Sequence, residues 1–183
     1  MSERKIIAVT GTPGTGKSSF SKALSKELSA GLIDLNKEIE DRDIYDLDED
    51  ETHVVETEDL RQEFEEILKS ENNDLVIDGL LSHLLKPNQI THIVVLRTNP
   101  QVLRKRLNSR DFSEEKISEN VEAEALGVVL SEAIEIHGIN KIHEIDTTEN
   151  STSKAIELFK ESLQNEKDLS PGKIDWLEEF YSY

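Results

Sequence analysis

The residues with the clearest chemical meaning lie together near the N-terminus, in "GTPGTGKS" from Gly11 to Ser18. They match the pattern G-x-x-x-x-G-K-[ST] in full. Backbone N–H groups of such a loop, and of the helix after it, converge on phosphate oxygens, because a helix N-terminus leaves donors unpaired and carries the positive end of the dipole. Gly11, Gly14 and Gly16 permit the tight backbone path. The Lys17 ammonium can reach β and γ phosphates, and the Ser18 hydroxyl can ligate Mg2+. This is the chemistry of gripping a phosphate chain, and it leaves open where a transferred phosphoryl group goes.

Such a site needs a second carboxylate to orient the metal or its waters, and Asp78, closing the apolar run "DLVID", is the candidate; with Ser18 it forms the expected Mg2+ pair, directly or through water. Asp78 followed by Gly79 could alternatively start a turn. His83 lies close in sequence, either to orient a water or to pack between its leucine neighbours. Phosphoryl transfer concentrates negative charge, and "LRTNPQVLRKRLNSRDF" supplies Arg97, Arg104, Lys105, Arg106 and Arg110 to meet it. They cannot all share one helical face, so some must face solvent. Arg110, just before "DFSEE", is the first choice for a flap over the phosphates, and Arg97, at a strand end, the second.

Positioning these groups calls for strand, loop and helix in succession. "KIIAVT" (Lys5 to Thr10) stops at glycine, and "KSSFSKALSKEL" follows with apolar residues at helical spacing. Similar short apolar runs recur at Gly31 to Leu35, Asp74 to Asp78, His92 to Arg97 and Lys141 to Asp146, predicting five strands with the first. Helices are predicted over Glu58 to Lys69 after a Thr57 cap, Pro100 to Asn108 capped by Asn99, Glu114 to His137 begun by Ser113 and stopped by Gly138, and Thr152 to Gln164. The alternation predicts an α/β three-layer sandwich, a five-stranded parallel sheet with helices on both faces and ligands at the strands' carboxyl ends. The tail "SPGKIDWLEEFYSY" is expected to lay Trp176 and Leu177 on the body.

The 183 residues suit one domain. There is no cysteine, no apolar run long enough to span a membrane, and a polar start "MSERK", so the expectation is a cytoplasmic protein without a membrane partner. Thirty-nine acidic against twenty-one basic residues give a formal net charge of −18, which argues against free nucleic acid as a ligand. Glu38 to Glu51 holds nine carboxylates with only Arg42 among them. That run is either a solvated loop or a surface for a basic partner.

Taken together, "GTPGTGKSS", "VVLRTNP", "SRDFSEEKISENVEAEAL" and "SPGKIDWLEEF" resemble the archaeal and eukaryotic adenylate-kinase-like nucleoside monophosphate kinases that also act in small ribosomal subunit maturation. The resemblance spans almost the whole chain. It implies a P-loop fold of the nucleoside-monophosphate-kinase type with a short lid near Ser109 to Glu119, an acceptor-binding insertion from about Asp34 to Thr57, and a C-terminal extension over about 165–183. By matching position, Gly14, Gly16, Lys17, Ser18 and Ser19 would hold ATP, with Arg110 reaching its phosphates; Gly11 and Thr15 are expected to join them in the loop, and Lys17, Asp78 and Arg110 to be catalytic. Lys37, Arg42, Arg61 and Arg97 are the cations available to an acceptor phosphate. The implied activity is ATP plus AMP to two ADP with broad acceptor specificity, together with ATPase turnover and transient binding of a basic small-subunit ribosomal protein and the pre-ribosomal subunit. The chain departs from the family at three places. Asp78-Gly79-Leu80 replaces the usual Asp-x-His, Asp111 stands where glycine is common, and the insertion is the acidic run itself. Two other readings share the same loop: a nucleotide-gated binding module with little kinase activity, and a kinase of another small molecule such as a sugar, a shikimate-like acid or a nucleoside.

Overall fold

The computed structural model describes residues 4–47, 53–110 and 112–181. In chain order the elements are β1 (Ile6–Thr10), α1 (Lys17–Leu28), β2 (Gly31–Asp34), α2 (Leu35–Asp41), β3 (Asp46–Leu47), β4 (His53–Val54), α3 (Thr57–Ser70) and β5 (Leu75–Asp78). A 3-10 helix (Leu80–Leu84) leads to β6 (His92–Arg97), α4 (Pro100–Asn108), α5 (Glu114–Leu126) and α6 (Val128–His137). The chain ends with β7 (Ile142–Asp146), α7 (Thr152–Leu163) and α8 (Leu177–Tyr181).

All five predicted strands form, and they pair in parallel in the order β2-β5-β1-β6-β7. Every residue of β1 and of β5 is buried, the state of central strands covered on both faces. Strand alternation then divides the core in two. Ile6, Ala8, Leu75, Ile77, Ile93 and Val95 point to the side filled by Leu60 and Phe64 of α3 and Ala133 of α6. Ile7, Val9, Val76, Val94 and Leu96 point to the other, against Phe20 and Leu24 of α1 and Phe159 of α7. The central position of β1 carries Gly11 and the residues after it to the carboxyl edge of the sheet, beside Asp78, whose register partner is Val9.

Local signals set most element ends. The Asn99 side chain accepts from Gln101 N at 3.0 Å ahead of Pro100, and Ser113 Oγ accepts from Lys116 N at 3.2 Å. Thr57 is instead the first residue of α3; extended Glu56 precedes it, with no side-chain cap. The single helix predicted over Glu114 to His137 is two, because Gly127 adopts φ 65° and separates α5 from α6. Within the insertion, α2 is capped by Asp34, and the short β3–β4 hairpin is an addition to the predicted elements. Residues 48–51 of the acidic run, and Asp111, lie outside the described residues. In the tail Trp176 is half-buried and Leu177 39% exposed, whereas Phe180 joins a third cluster with Leu103 and Leu107 of α4 and Ile117 and Val121 of α5. Among the described residues, no helix is long and apolar enough to cross a membrane.

Candidate active site

The loop from Gly11 to Gly16 follows a path that needs glycine, with positive φ at Gly11, Gly14 and Gly16 and close neighbours at the first two. At Gly11, with φ +139°, a Cβ would stand 2.4 Å from the Leu96 carbonyl oxygen, so the loop lies directly on the end of β6. Gly16 is the left-handed cap of α1; no side chain caps that helix, and its first turn holds no acidic residue. The first N–H groups of α1 are thus left for a ligand, with the helix dipole favouring an anion there. Thr15 stiffens the loop from inside: its Oγ1 donates to Thr12 O at 2.9 Å, and its own carbonyl accepts from Thr147 Oγ1 at 2.9 Å. Ser18 and Ser19 are exposed at the head of α1.

Lys17 Nζ donates to the carbonyls of Gly11 at 2.7 Å and Thr12 at 3.1 Å. Burial lowers its pKa to about 8, against the fields of Asp78 and Glu124, which raise it, while Arg110 adds to the lowering. Lys17 of α1 therefore stands within the fields of Asp78 from β5 and Arg110 from just beyond α4. Asp78 is 6% exposed, and its Oδ1 finds no hydrogen-bond partner among the described residues. A buried carboxylate oxygen is costly to leave unpaired, so this atom is suited to meeting a cation or a hydrogen-bond donor. Arg110 is exposed beside a cavity of about 250 Å3 that Gly14, Gly16, Ser19, Arg106 and Asn150 also line.

The other basic residues expected near the phosphates have different duties. Arg97 is corrected: it is 3% exposed and held by Glu124 and Glu144, each at 2.8 Å, so it cannot serve an acceptor phosphate. Arg106 fastens the loop to the segment after β7, donating to Thr147 O at 2.7 Å and Gly14 O at 3.4 Å. Arg104 ties α4 to α5 through Glu114 at 2.5 Å. Lys105 is exposed.

The structure does not gather the remaining acceptor candidates into a clamp. Lys37 pairs with Asp41 at 2.6 Å, Arg42 with Glu38 at 2.9 Å and Glu63 at 3.4 Å, and Arg61 donates to Leu84 O at 2.7 Å. Arg42 instead borders a cavity of about 240 Å3 whose rim is acidic, with Asp43, Glu56, Asp59 and Glu63. His83 is 2% exposed, with Nδ1 2.8 Å from Leu80 O and 3.0 Å from Thr10 Oγ1, and Nε2 3.1 Å from Glu132. Both ring nitrogens are engaged, which makes it a brace between the 3-10 helix and α6 rather than a free water-orienting group.

Glu124 escaped the sequence reading. It is 2% exposed and accepts from Thr12 Oγ1 at 2.6 Å. Its signal was a carboxylate at helical spacing on the apolar stripe of Ile117, Val121 and Ala125.

A family model described as "AAA domain" matches residues 7–127. A protein of Methanocaldococcus jannaschii named "Putative adenylate kinase" is 35% identical over 97% of this chain and 96% of its own. One of Archaeoglobus fulgidus with the same name is 42% identical over 95% of this chain and 93% of its own. Among solved structures, a shikimate kinase from Bacteroides thetaiotaomicron superposes with TM-score 0.62 at 20% identity, covering 87% of this chain and 98% of its own. A deoxyadenosine kinase from M. mycoides gives TM-score 0.58 at 16% identity, over 87% and 99% respectively. At that distance the two structures speak for the fold alone. The full-length archaeal matches speak for descent: the chain belongs to the AAA-domain group and to the adenylate-kinase-like family of P-loop kinases.

Proposed function

We propose that the protein is an ATP-dependent phosphotransferase of the adenylate-kinase type, broad in its nucleoside monophosphate acceptor and able to pass the phosphoryl group to water. The observation that carries this reading is the pairing of an uncapped α1 N-terminus with the orphaned, buried Asp78 Oδ1. A phosphate chain suits the first and a divalent cation the second. Ser18 and Asp78 are the residues that would hold Mg2+, and the ion would supply positive charge to offset that of the phosphates.

This chain's own groups then do the rest. The loop N–H groups fix the phosphates, and Lys17 releases the Gly11 and Thr12 carbonyls to follow the transferring phosphoryl group. Arg110 approaches from the lid side and shares that charge. The bond from the γ phosphorus to its bridging oxygen breaks, ADP leaves, and a new bond forms to a phosphate oxygen of AMP or to a water oxygen. In the second case one proton of the water stays on the inorganic phosphate formed and the other passes to solvent.

The partition between acceptors follows from the insertion. Lys37, Arg42 and Arg61 are each occupied by a different group, while the nearby cavity is acidic. A dianionic acceptor gains little there, and a cationic protein surface gains more. We therefore extend the proposal to transient binding of a basic small-subunit ribosomal protein by the acidic insertion, with ATP turnover timing its release during subunit maturation.

ATP turnover with Mg2+, followed as ADP and phosphate without acceptor, with AMP and with the small-subunit proteins of its own organism, tests the reading. Two ADP per ATP consumed with AMP supports the kinase. Phosphate release stimulated by the basic protein supports the coupled ATPase. Turnover by neither route leaves the binding-module alternative, and Lys17→Ala then decides whether nucleotide gates the partner. Neutral substitutions in the acidic run that leave partner binding unchanged would remove the ribosomal-protein proposal.

A further inference from the structure

Thr12 is the junction of the phosphate loop. Its carbonyl receives Thr15 Oγ1 at 2.9 Å and Lys17 Nζ at 3.1 Å, while its hydroxyl donates to Glu124 Oε2 at 2.6 Å. Glu124 stands on α5, the helix whose first turns belong to the lid segment expected near Ser109 to Glu119. Its other oxygen, Oε1, accepts from Arg97 Nε at 2.8 Å and Thr98 N at 2.9 Å. Arg97 is answered on its far side by Glu144 at 2.8 Å. The carboxylate is thus held on both oxygens. Its bonds go to Thr12, Arg97 and Thr98, whereas Lys17 Nζ donates to the Gly11 and Thr12 carbonyls, so Glu124 reaches Lys17 through its field and through Thr12 rather than by a direct ion pair.

We infer that Glu124 is a positioning residue for phosphoryl transfer, holding Thr12 so that the loop presents Lys17 to the phosphates and tying the lid helix to the loop. It touches neither nucleotide nor acceptor and acts through Thr12. The inference rests on the ATP-site reading above. A carboxylate with a merely structural role would stabilise the fold and leave turnover by the folded protein unchanged.

Thr12→Val removes the hydroxyl at nearly constant shape, and Thr12→Ser keeps it. Steady-state kinetics with MgATP, normalised to folded protein by calorimetry, are expected to show kcat/KM lower by about tenfold or more for Thr12→Val, the scale of one charge-assisted hydrogen bond. Thr12→Ser is expected to stay within about twofold of wild type. In a Glu124→Gln background the effect of Thr12→Val should shrink below about threefold, because the two groups act as one unit. Should Glu124→Gln not fold, Glu124→Asp takes its place, keeping the charge beside Arg97 but drawing the oxygens back from Thr12. Wild-type kinetics in Thr12→Val would overturn the inference while leaving the ATP site standing. So would a tenfold loss that persists undiminished without the Glu124 partner, since the hydroxyl would then act on the ligand directly. A wild-type protein that binds no MgATP overturns both readings.

Discussion

Lys17 shows how much a single side chain's environment adds to its identity. Any P-loop lysine is charged in water, yet burial beneath this loop brings its pKa down to about 8. Only the ammonium form attracts phosphate, so the nucleotide-free protein loses its binding-competent state as the pH rises through that value. Affinity for MgATP is expected to hold between pH 6.5 and 7.5 and to fall roughly tenfold per unit well above pH 8. Calorimetric titrations across that range check this, and a flat profile to pH 9.5 would refute it. Asp78→Asn keeps the shape and removes the charge of the orphaned carboxylate; kcat is expected to drop by about a hundredfold or more, with folding intact by circular dichroism. The sequence offers both residues as candidates, Lys17 by its motif and Asp78 by its place at a strand end, and the fold puts Asp78 close enough to act on the Lys17 charge. Arg97 also closes a strand, and nothing local distinguishes it from a phosphate-facing arginine. Its partners Glu124 and Glu144 lie 27 and 47 residues away.

At the scale of elements, turn and cap chemistry predicted boundaries well where a short-range bond sets them, as at Asn99 and Ser113. The division of α5 from α6 was not legible, because apolar residues run on through "EALGVVL" and a glycine inside a helical pattern costs only about 1 kcal/mol. Gly127 adopts φ 65°, and a Cβ there would meet the Arg97 guanidinium at ordinary contact distance, 3.7 Å. Gly127→Ala should therefore cost about 1 kcal/mol from backbone strain alone, and Gly127→Asn less, as read from urea unfolding midpoints. A loss of several kcal/mol would mean the site is packed more tightly than this contact implies. On the neighbouring strands, His92 Nδ1 lies 3.2 Å from His143 Nε2, and His143 Nδ1 is 2.9 Å from Ser162 Oγ of α7. Burial, and then His92, lower the His143 pKa to about 4. The unfolded chain takes up that proton near pH 6.5 and the folded protein only near 4, so stability contributed by neutral His143 is present above pH 6.5 and lost as the pH falls between the two. Unfolding midpoints at pH 7 and pH 4.5 should differ less in His143→Gln than in wild type, and equal differences would exclude this residue.

For the whole molecule, charge and connectivity matter more than any one bond. The net charge of −18 would make any association with a basic partner salt-sensitive and opposes non-specific contact with nucleic acid. The C-terminal tail closes the structure through two sets of contacts. Gly172 N and Lys173 N donate to Glu144 Oε2 at 2.9 and 3.3 Å, and Glu144 in turn holds Arg97. Phe180 covers the small core between α4 and α5. Removing residues 171–183 strips two donors from a buried carboxylate and uncovers that core, a loss on the order of 3 kcal/mol. For a protein of this size the melting temperature should fall by roughly 6–12 °C in scanning calorimetry. An unchanged melting temperature would show that the tail is not integral to the fold.

The sequence alone determined the parts governed by neighbours in the chain: the phosphate loop, the apolar strands, most caps and the helices between them. Each rests on residue type and a spacing of a few positions, so it can be read without knowing what packs against it. Tertiary structure decided which basic groups are committed to internal partners and which stay exposed beside the loop. Arg97, Arg104, Arg106 and Arg110 are alike in sequence, but long-range partners bury the first, bind the second and third, and leave Arg110 exposed beside the cavity. The ties of Glu124 to Thr12 and of Glu144 to the tail belong to the same class. A buried charge must be answered by whatever the fold brings beside it, and that neighbour is fixed by topology rather than by sequence distance.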